Sequence, residues 1–484
     1  MLSQILRNHP ANQVAVVYQD QYKTYKDLDE LSNRVALMLF DIGIKKSDKI
    51  ALFMHNSLEM VICYFAIFKI GATAVPINVR FKSPELAYVL KHVDASLLII
   101  EDALFALFKE IEFSFLNLKT GSFSTFFDLK LSNTIQPFLP IIKEKETDLA
   151  CILYTSGTTS RPKGVMHTHS SLLNTAINQS LTLKLDSSST VLIFLSICHI
   201  AGFAGQILTT LYAGGQIILL SQFEPEDVLK AIKKYQVTQL MMLPVHIAQL
   251  MQHPLRDYLC AIKQCIVGGD KIPKSIHQSF YQLTEKYLIE CCGMTESFTY
   301  AANYPSSAEH IGSIGKPVHA TELKIVDAQD NVLKAGNTGE IIVKSLANSI
   351  GYWNDPEATE ALFKKNYLYT GDLAYQDENG YFWFNGRKKE IIIRGGSNIS
   401  PAEVEEALYQ HPAVKEVGVI GFPDPNFGQV VHACIVLKDG QSATEAELKE
   451  FSSRYLADYK IPEKILFKQF LPHNDLGKLD RKKL

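Results

Sequence analysis

One loop of the sequence has the residue types that suit a phosphate group. It reads YTSGTTSRPKGV from Tyr154 to Val165 and follows the apolar run 149–153, which predicts a buried strand. Gly157 and Gly164 let the backbone turn its N–H groups toward an anion, and Lys163 adds positive charge. Short hydroxyl donors complete the loop: Thr155, Ser156, Thr158, Thr159 and Ser160. These residues predict a phosphate-binding loop.

The loop differs from the common nucleotide-binding loop GxxxxGK[ST], because Lys163 precedes Gly164 here instead of following a glycine. A generic P-loop ATPase or kinase is therefore disfavoured. A surface linker rich in Ser, Thr and Gly is the simpler interpretation of such a composition. A helical pattern is predicted to begin soon after the loop, near Thr168.

Four more stretches combine charged residues with glycines, and each follows the loop in sequence order. They are CGMTES (292–297), YTGDLA (369–374), GRKKEIIIRGG (386–396) and PHNDLGK (472–478). Taken singly, their charged residues would be turn or solvated loop positions, and Lys478 would be an exposed residue of a basic tail. The common order of all five stretches favours one composite site instead.

Length and charge bound the class of protein. A chain of 484 residues exceeds one ordinary core and predicts two or more domains. The 48 Lys and Arg nearly balance the 51 Asp and Glu without a long block of like charge, which argues against nucleic-acid binding. Small-molecule chemistry is the better prediction, in a monomer or homodimer.

Targeting and metal signals are weak. The eight cysteines form no CxxC pair, and no His/Cys spacing typical of zinc occurs, so reduced thiols in a cytoplasmic protein are expected. The N-terminus has no signal-peptide pattern, and no apolar run is long enough to span a bilayer.

Alternating strand and helix patterns predict an α/β protein. Strand-like runs separated by helix-length segments, from Lys49 to Glu290, indicate doubly wound parallel sheets. Short strands with Gly and Asn turns after Ile311 predict a β-rich subdomain. Capping boxes at Ser400 with Glu403 and at Thr444 with Glu447 begin helices of a small α+β C-terminal domain. The predicted domains are 1–388 and 389–484, and the segment 105–140 has no clear assignment.

Together the five stretches resemble the adenylate-forming family of acyl-CoA synthetases, non-ribosomal adenylation domains and luciferases, over residues 10–484. The resemblance implies ATP-dependent activation of a carboxylic acid. A carboxylate oxygen attacks the α-phosphorus, pyrophosphate leaves, and a thiol, usually that of coenzyme A, opens the acyl adenylate. ATP, Mg²⁺ and coenzyme A are therefore expected, and catalysis would consist of positioning and charge stabilisation.

The resemblance also assigns residues. Glu296 would bind Mg²⁺, Asp372 would accept hydrogen bonds from the ribose, and Lys478 would bridge the α-phosphate and the substrate carboxylate. The catalytic set is Lys478, Thr295, Glu296 and His199, the last as a wall of the acyl pocket or, alternatively, as a core histidine. The nucleotide contacts are Thr155, Ser156, Gly157, Thr158, Thr159, Lys163, Gly269, Asp270, Cys292, Gly293, Met294, Thr295, Asp372 and Arg387.

A rotation of the C-terminal domain between the two half-reactions is a further implication. Its hinge would be Lys389, and it would withdraw Lys478 and bring Gly395, Gly396 and Ser397 toward the thiol.

Some positions depart from the family pattern. Cys292 stands where an aromatic residue usually stacks on adenine, so either ATP binds more weakly or another aromatic substitutes. Ser160 replaces a usual glycine of the phosphate loop, and Ser196 and Cys198 replace the Pro and Phe usual around His199.

The sequence limits the class of carboxylic acid substrate but does not identify a single acid. The stretch LSICHIAG (195–202) has no carboxylate to pair with an amino-acid ammonium, and the apolar residues there and at Met241 and Met242 favour a fatty acid. An aryl acid of the o-succinylbenzoate type is the second possibility. The sequence is also compatible with a ligase that loads a carrier protein, and with a binding protein of the same fold that has lost catalysis.

Overall fold

The structure is a computed structural model. It describes residues 1–105, 119–122, 145–155, 162–270, 272–304, 308–395, 397–474 and 477–484, with only the backbone described at 119–122. Five predicted site residues lie outside the described residues: Ser156, Gly157, Thr158, Thr159 and Gly396. Most of the unassigned segment 105–140 does so too.

A hairpin opens the chain, and a six-stranded sheet follows it. The hairpin strands are β1 (Val14–Tyr18) and β2 (Gln21–Thr24). The sheet strands are β3 (Lys49–Phe53), β4 (Thr73–Pro76), β5 (Leu97–Ile100), β6 (Lys119–Ser122), β7 (Leu149–Thr155) and β8 (Lys163–Thr168). Their order is β6-β5-β3-β4-β7-β8, parallel except for the antiparallel pair β7/β8.

A nine-stranded sheet holds the next strands together with the first hairpin. They are β9 (Thr190–Ile193), β10 (Gln216–Leu219), β11 (Gln239–Met242), β12 (Gln264–Gly268), β13 (Ile289–Met294), β14 (Ser297–Asn303) and β15 (Lys316–Pro317). The order is β15-β14-β13-β12-β11-β9-β10-β1-β2. Ile217 and Leu219 of β10 enter one core while Ile218 enters another, so both faces are covered. This confirms the predicted doubly wound architecture.

The β-rich subdomain is antiparallel throughout. Its strands are β16 (Thr321–Val326), β17 (Gly339–Ser345), β18 (Phe363–Lys364), β19 (Tyr367–Gln376) and β20 (Phe382–Arg387). The C-terminal sheet has β21 (Ile392–Arg394), β22 (Ser397–Ile399), β23 (Val414–Asp424), β24 (Gly428–Leu437) and β25 (Lys464–Phe467). It packs on helices around its own apolar core, which includes Val404, Val419 and Ile435, and this confirms the predicted α+β tail.

Ten described helices have seven or more regular α-helical residues. They are α1 (Tyr25–Asp41), α2 (Leu58–Lys69), α3 (Ser83–Val93), α4 (His169–Thr182), α5 (Pro225–Tyr235), α6 (Pro244–Gln252), α7 (Lys274–Thr284), α8 (Pro356–Leu362), α9 (Pro401–Tyr409) and α10 (Glu445–Ser453). Between α4 and α5 the segments Ile200–Gly202, Phe203–Leu208 and Thr209–Tyr212 are helical, the middle one a π-helix. Among the described helices, none combines the length and the apolar character needed to cross a membrane.

One of the two predicted capping boxes is incomplete. Thr444 and Glu447 exchange both hydrogen bonds of the box at the start of α10. At α9, Ser400 accepts from the Glu403 N–H at 3.4 Å, but the Glu403 carboxylate binds the Lys460 ammonium at 2.6 Å instead of returning to Ser400. The prediction for Glu403 is therefore wrong, because a cation 57 residues away is the stronger partner for a carboxylate.

A strand that the sequence patterns do not predict precedes the helix that begins after Thr168. This strand, β8, pairs with β7 from Thr155 and Lys163 onward and leads into α4. Thr168 caps α4, as the helical pattern near that residue predicts. Gly164 pairs with Tyr154 inside the hairpin, where an added Cβ would lie 2.8 Å from the Ile152 side chain. This glycine is therefore needed for packing within the hairpin.

Four histidines are kept neutral by the fold and make stability depend on pH. Burial lowers the pKa of His167, His169, His199 and His246 to about 4. Unfolded histidine has a pKa of about 6.5, so between these values the unfolded chain binds more protons and stability falls as pH falls. Burial raises the pKa of Glu405 to about 7 and also raises the pKa of Glu416, so both oppose this trend. Burial lowers the pKa of His9, His92 and His432, which adds to it.

We therefore expect the free energy of unfolding in urea to decrease steadily from pH 6.5 to pH 4.5. A His167→Gln variant should show a smaller slope over the same range, since it lacks one of the four groups. A free energy that stays constant across this range would contradict the assignment of neutral buried histidines.

Candidate active site

A cavity of about 770 Å³ lies between the large N-terminal part of the chain and the C-terminal domain. The ends of β12 and β13 and strands β19 and β20 line one side, and residues around α9 and the last turn line the other. Predicted site residues lining it are Gly269, Asp270, Cys292, Gly293, Asp372, Arg387, Lys389 and Lys478. The structure thus brings together residues up to 209 positions apart in sequence, from Gly269 to Lys478.

The glycines after β12 leave the cavity wall as bare backbone. Gly269 has φ +86°, and a Cβ on it would lie 2.8 Å from the Leu243 side chain and 3.3 Å from Lys478 Cε. At Gly268 a Cβ would lie 2.5 Å from the Cys291 carbonyl oxygen. A flat group such as a base can approach a wall of this kind closely.

Lys478 reaches the cavity from a turn near the C-terminus. The Asn474 N–H donates to the Lys478 carbonyl at 2.7 Å, and the Lys478 N–H donates to Asn474 Oδ1 at 3.0 Å. Burial, followed by the nearby Arg387 guanidinium, lowers the pKa of the Lys478 ammonium, while Asp270 and Asp372 act in the opposite direction. An anionic ligand that enters the cavity would stabilise the charged form of Lys478, which burial and Arg387 disfavour.

Asp372 is the buried carboxylate of the cavity. The Tyr300 hydroxyl donates to its Oδ2 at 2.7 Å, and Arg387 Nε lies 3.0 Å from its Oδ1 as an ion pair. No described hydrogen bond is directed at Oδ1. A buried carboxylate oxygen that is ion-paired but accepts no described hydrogen bond, and that lies beside a cavity, can accept one from a ligand hydroxyl, such as one of a ribose.

Cys292 is linked to the same carboxylate. Its Sγ lies 3.1 Å from the Tyr300 oxygen, and because that hydroxyl proton goes to Asp372, the thiol is the donor. Burial, with Asp372, raises the pKa of the Cys292 thiol to about 12, so it stays protonated. Tyr300 itself is buried beneath the cavity wall, and Phe384 is the aromatic residue among the described ones that line it.

We expect Tyr300→Phe to raise the KM for ATP about tenfold, because a hydrogen bond to a charged group contributes about 1.5–3 kcal/mol. Asp372 would lose the donor that fixes its orientation. Steady-state kinetics at varied ATP check this, with Tyr367→Phe as the control, because Tyr367 is absent from the described lining of the cavity. Equal KM values for Tyr300→Phe and the unmodified chain would show that Tyr300 only fills space.

Thr295 and Glu296 form the turn between β13 and β14. His167 Nε2 donates to the Thr295 carbonyl at 2.9 Å, and the Tyr352 hydroxyl donates to Glu296 Oε1 at 2.5 Å. Oε2 of Glu296 accepts no hydrogen bond from the described residues. A buried carboxylate that uses one oxygen in its described hydrogen bonds fits a hard cation such as Mg²⁺ at the other.

The phosphate hairpin is described only at its base. Thr155 ends β7, and Lys163 begins β8 with its ammonium 3.2 Å from Asp355 Oδ2 and 5.0 Å from the centre of the Tyr352 ring. Lys163 lines a second cavity of about 450 Å³ and is absent from the described lining of the first. Met294 pairs with Ser297 across the β13/β14 turn.

His199 lies near the cavity, and its ring is neutral. Burial lowers its pKa to about 4, with further contributions from the charges of Lys478 and Arg80. Arg80 thus belongs to the same neighbourhood, although nothing in the sequence pointed to it. Of the predicted thiol-side residues, Gly395 donates its N–H to the Phe427 carbonyl at 2.8 Å and Ser397 begins β22. Both are outside the described lining of the nucleotide-sized cavity.

Comparison with known proteins places the chain in a family. The sequence profile of the AMP-binding enzymes matches residues 2–353, and that of the AMP-binding enzyme C-terminal domain matches residues 403–478. The chain belongs to the AMP-binding enzyme family. Together with relatives that are CoA ligases and similar structures that hold ATP or ATP and magnesium, this confirms the predicted class, an AMP-forming acid–thiol ligase, and the predicted use of ATP, Mg²⁺ and coenzyme A.

Two curated relatives of this AMP-binding enzyme act on different acids. A long-chain-fatty-acid–CoA ligase of Bacillus subtilis is 33% identical, with 98% of this chain and 91% of that protein aligned. A 2-succinylbenzoate–CoA ligase of Bacillus licheniformis is also 33% identical, with 98% and 96% aligned. The solved structure of ATP-bound MatB from Rhodopseudomonas palustris matches with a TM-score of 0.93 and 27% identity, covering 99% of this chain and 97% of that one.

Proposed function

We propose that this AMP-binding enzyme is an ATP-dependent acyl-CoA ligase that adenylates a fatty acid and then transfers the acyl group to coenzyme A. The observation that carries the proposal is the position of Lys478, whose side chain packs on Gly269 in the cavity that also holds Asp372 and Arg387. A cation is thus held where a nucleotide would bind.

The charged groups of the cavity have distinct tasks in the first half-reaction. Asp372 binds the ribose, Arg387 pairs with Asp372 and fixes its orientation, and Lys478 neutralises the acid carboxylate and the α-phosphate as they approach. Mg²⁺, held by Glu296, neutralises charge on the phosphates when it is bound. The carboxylate oxygen bonds to the α-phosphorus while the bond to the leaving pyrophosphate breaks. The coenzyme A thiol then attacks the acyl carbon and releases AMP.

The choice of a fatty acid rests on the environment of His199. Ile197, Cys198, Ile200 and Phe203 are all buried, and the segment 195–203 carries no acidic side chain. The ring of His199 is uncharged. A pocket next to these residues favours an apolar acid over an amino acid, whose ammonium would need a buried partner.

The proposal is tested by a pyrophosphate-release assay with a panel of carboxylic acids. Medium- and long-chain fatty acids should give the highest kcat/KM. A compact aryl acid is the second candidate, since the 2-succinylbenzoate–CoA ligase is as similar to this chain as the fatty-acid ligase. Mass spectrometry of the products should find acyl-CoA; an adenylate that loads only a carrier protein would refute the CoA step.

A further inference from the structure

The segment that follows β17 connects two parts of the predicted site. The Ile350 N–H donates to the Met166 carbonyl and the Met166 N–H to the Gly351 carbonyl, both at 2.9 Å, and the Trp353 N–H donates to Gly164 at 2.8 Å. These bonds add residues 350–353 to β8, the strand that leaves the phosphate loop. The Ser349 N–H donates to the Glu296 carbonyl at 2.7 Å, which ties the same segment to the metal-binding turn.

Tyr352 lies at the centre of this segment and contacts both functional groups. Its hydroxyl donates to Glu296 Oε1 at 2.5 Å, and its ring lies 5.0 Å below the Lys163 ammonium. Its own N–H donates to Thr359 Oγ1 at 2.9 Å, which fixes the backbone.

We infer that Tyr352 is a positioning residue that holds Glu296 and Lys163 in register for a metal–triphosphate complex. Its hydroxyl occupies one oxygen of Glu296, so the carboxylate binds the cation through the other oxygen. Its ring supports the Lys163 ammonium, with Asp355 holding that group from the far side at 3.2 Å. This role rests on the proposed function of Glu296 and Lys163.

The test is a comparison of Tyr352→Phe with a matched tyrosine. Tyr367 also lies under a lysine: its ring is 4.8 Å from the Lys324 ammonium, which donates to its hydroxyl at 2.7 Å. Each Tyr→Phe change therefore removes one hydroxyl that contacts a charged group and keeps the ring. Tyr367→Phe should leave the metal site unchanged because Tyr367 contacts neither Glu296 nor Lys163 among the described contacts.

Mn²⁺ binding in the presence of α,β-methylene-ATP can be measured from the electron paramagnetic resonance signal of the free ion. This measurement does not require turnover. Loss of an outer partner of a metal ligand typically costs 10–100-fold in metal affinity. We expect Tyr352→Phe to weaken Mn²⁺ binding about tenfold and to raise the Mg²⁺ concentration for half-maximal ATP–pyrophosphate exchange by a similar factor. Tyr367→Phe should change neither.

The experiments separate a failure of the positioning role of Tyr352 from a failure of the proposed function. If the unmodified chain exchanges pyrophosphate normally and Tyr352→Phe keeps its metal affinity, the positioning role is wrong while the proposed function stands. If the unmodified chain shows no exchange with any acid, the proposed function fails. Glu296→Asp breaks the same hydrogen bond from the other side, so adding Tyr352→Phe to it should cause no further loss; additive losses would overturn the inference.

Discussion

Replacing Lys478 by alanine is expected to slow acyl-adenylate formation by about 100- to 1000-fold, the usual cost of removing one preorganised group that stabilises transition-state charge. In the proposed reaction two negative groups, the acid carboxylate and the α-phosphate, approach each other beside Lys478, whose charge offsets their repulsion. Attack of coenzyme A on a supplied acyl adenylate should keep most of its rate, because no such encounter occurs in that step. Separate assays of the two half-reactions measure this.

Lys483→Ala is the matched control, since Lys483 is a nearby tail lysine that pairs with Asp480 at 3.0 Å. Its rates should be unchanged. Equal loss in both half-reactions for Lys478→Ala would contradict the role. The lowered pKa of Lys478 adds a second readout. The kcat/KM for adenylation should fall at an alkaline pH below the ordinary lysine range, since deprotonation removes the charge, and Lys478→Arg should move that fall to higher pH.

The second large effect is expected for Glu296→Gln. Because loss of an outer partner costs 10–100-fold, loss of the ligand itself should lower adenylation by about 100-fold or more at a fixed Mg²⁺ concentration. Added Mg²⁺ should restore part of the rate, since the amide oxygen is a weaker ligand without charge. Initial rates over a Mg²⁺ series, together with thermal unfolding of the metal-free chain, measure the effect.

Glu322→Gln serves as the control for this change, because Glu322 is a glutamate of the β-rich subdomain that pairs with Lys324 at 2.8 Å, away from the cavity. It should keep the Mg²⁺ dependence of the unmodified chain. A Glu296→Gln variant with a normal Mg²⁺ dependence would remove Glu296 from the metal site, whatever its effect on the overall rate.

Local patterns in the sequence were sufficient for much of the fold. Apolar runs such as Leu97–Ile100 predict parallel strands that are buried on both faces, and all four residues of that run are buried. Thr444 predicts the start of α10 because its capping box involves only neighbouring residues. The strand that the sequence predicts at 264–267 is β12, which ends one residue later, at Gly268.

Contacts between distant residues were not predictable in this way. Tyr300 reaches Asp372 across 72 positions and Tyr352 reaches Glu296 across 56, and neither tyrosine belongs to any of the five stretches. Strand β8 was missed because its six residues become a recognisable strand only when paired with β7 and with residues 350–353. The residues that pair with such a strand lie outside the short stretch of sequence from which a strand is predicted.

The site was also predicted from the order of the five stretches along the chain and not from single residues. Asp372 lies within β19 and its carboxylate is buried, whereas the dipeptide Gly371-Asp372 alone is typical of an exposed turn. Lys478 packs against Gly269 although it is only six positions from the last residue of the sequence. Asp372 is buried and Lys478 is half-buried, and each lies beside an opposite charge of the cavity.

Transfer of an oxygen atom from the acid to the nucleotide is the direct test of whether this enzyme forms an acyl adenylate. The best acid from the panel is labelled with ¹⁸O in both carboxylate oxygens and incubated with ATP, Mg²⁺ and coenzyme A, and the nucleotide product is analysed by mass spectrometry. If a carboxylate oxygen attacks the α-phosphorus, the product is AMP that carries one ¹⁸O atom. Formation of ADP, or of AMP without label, would contradict the account.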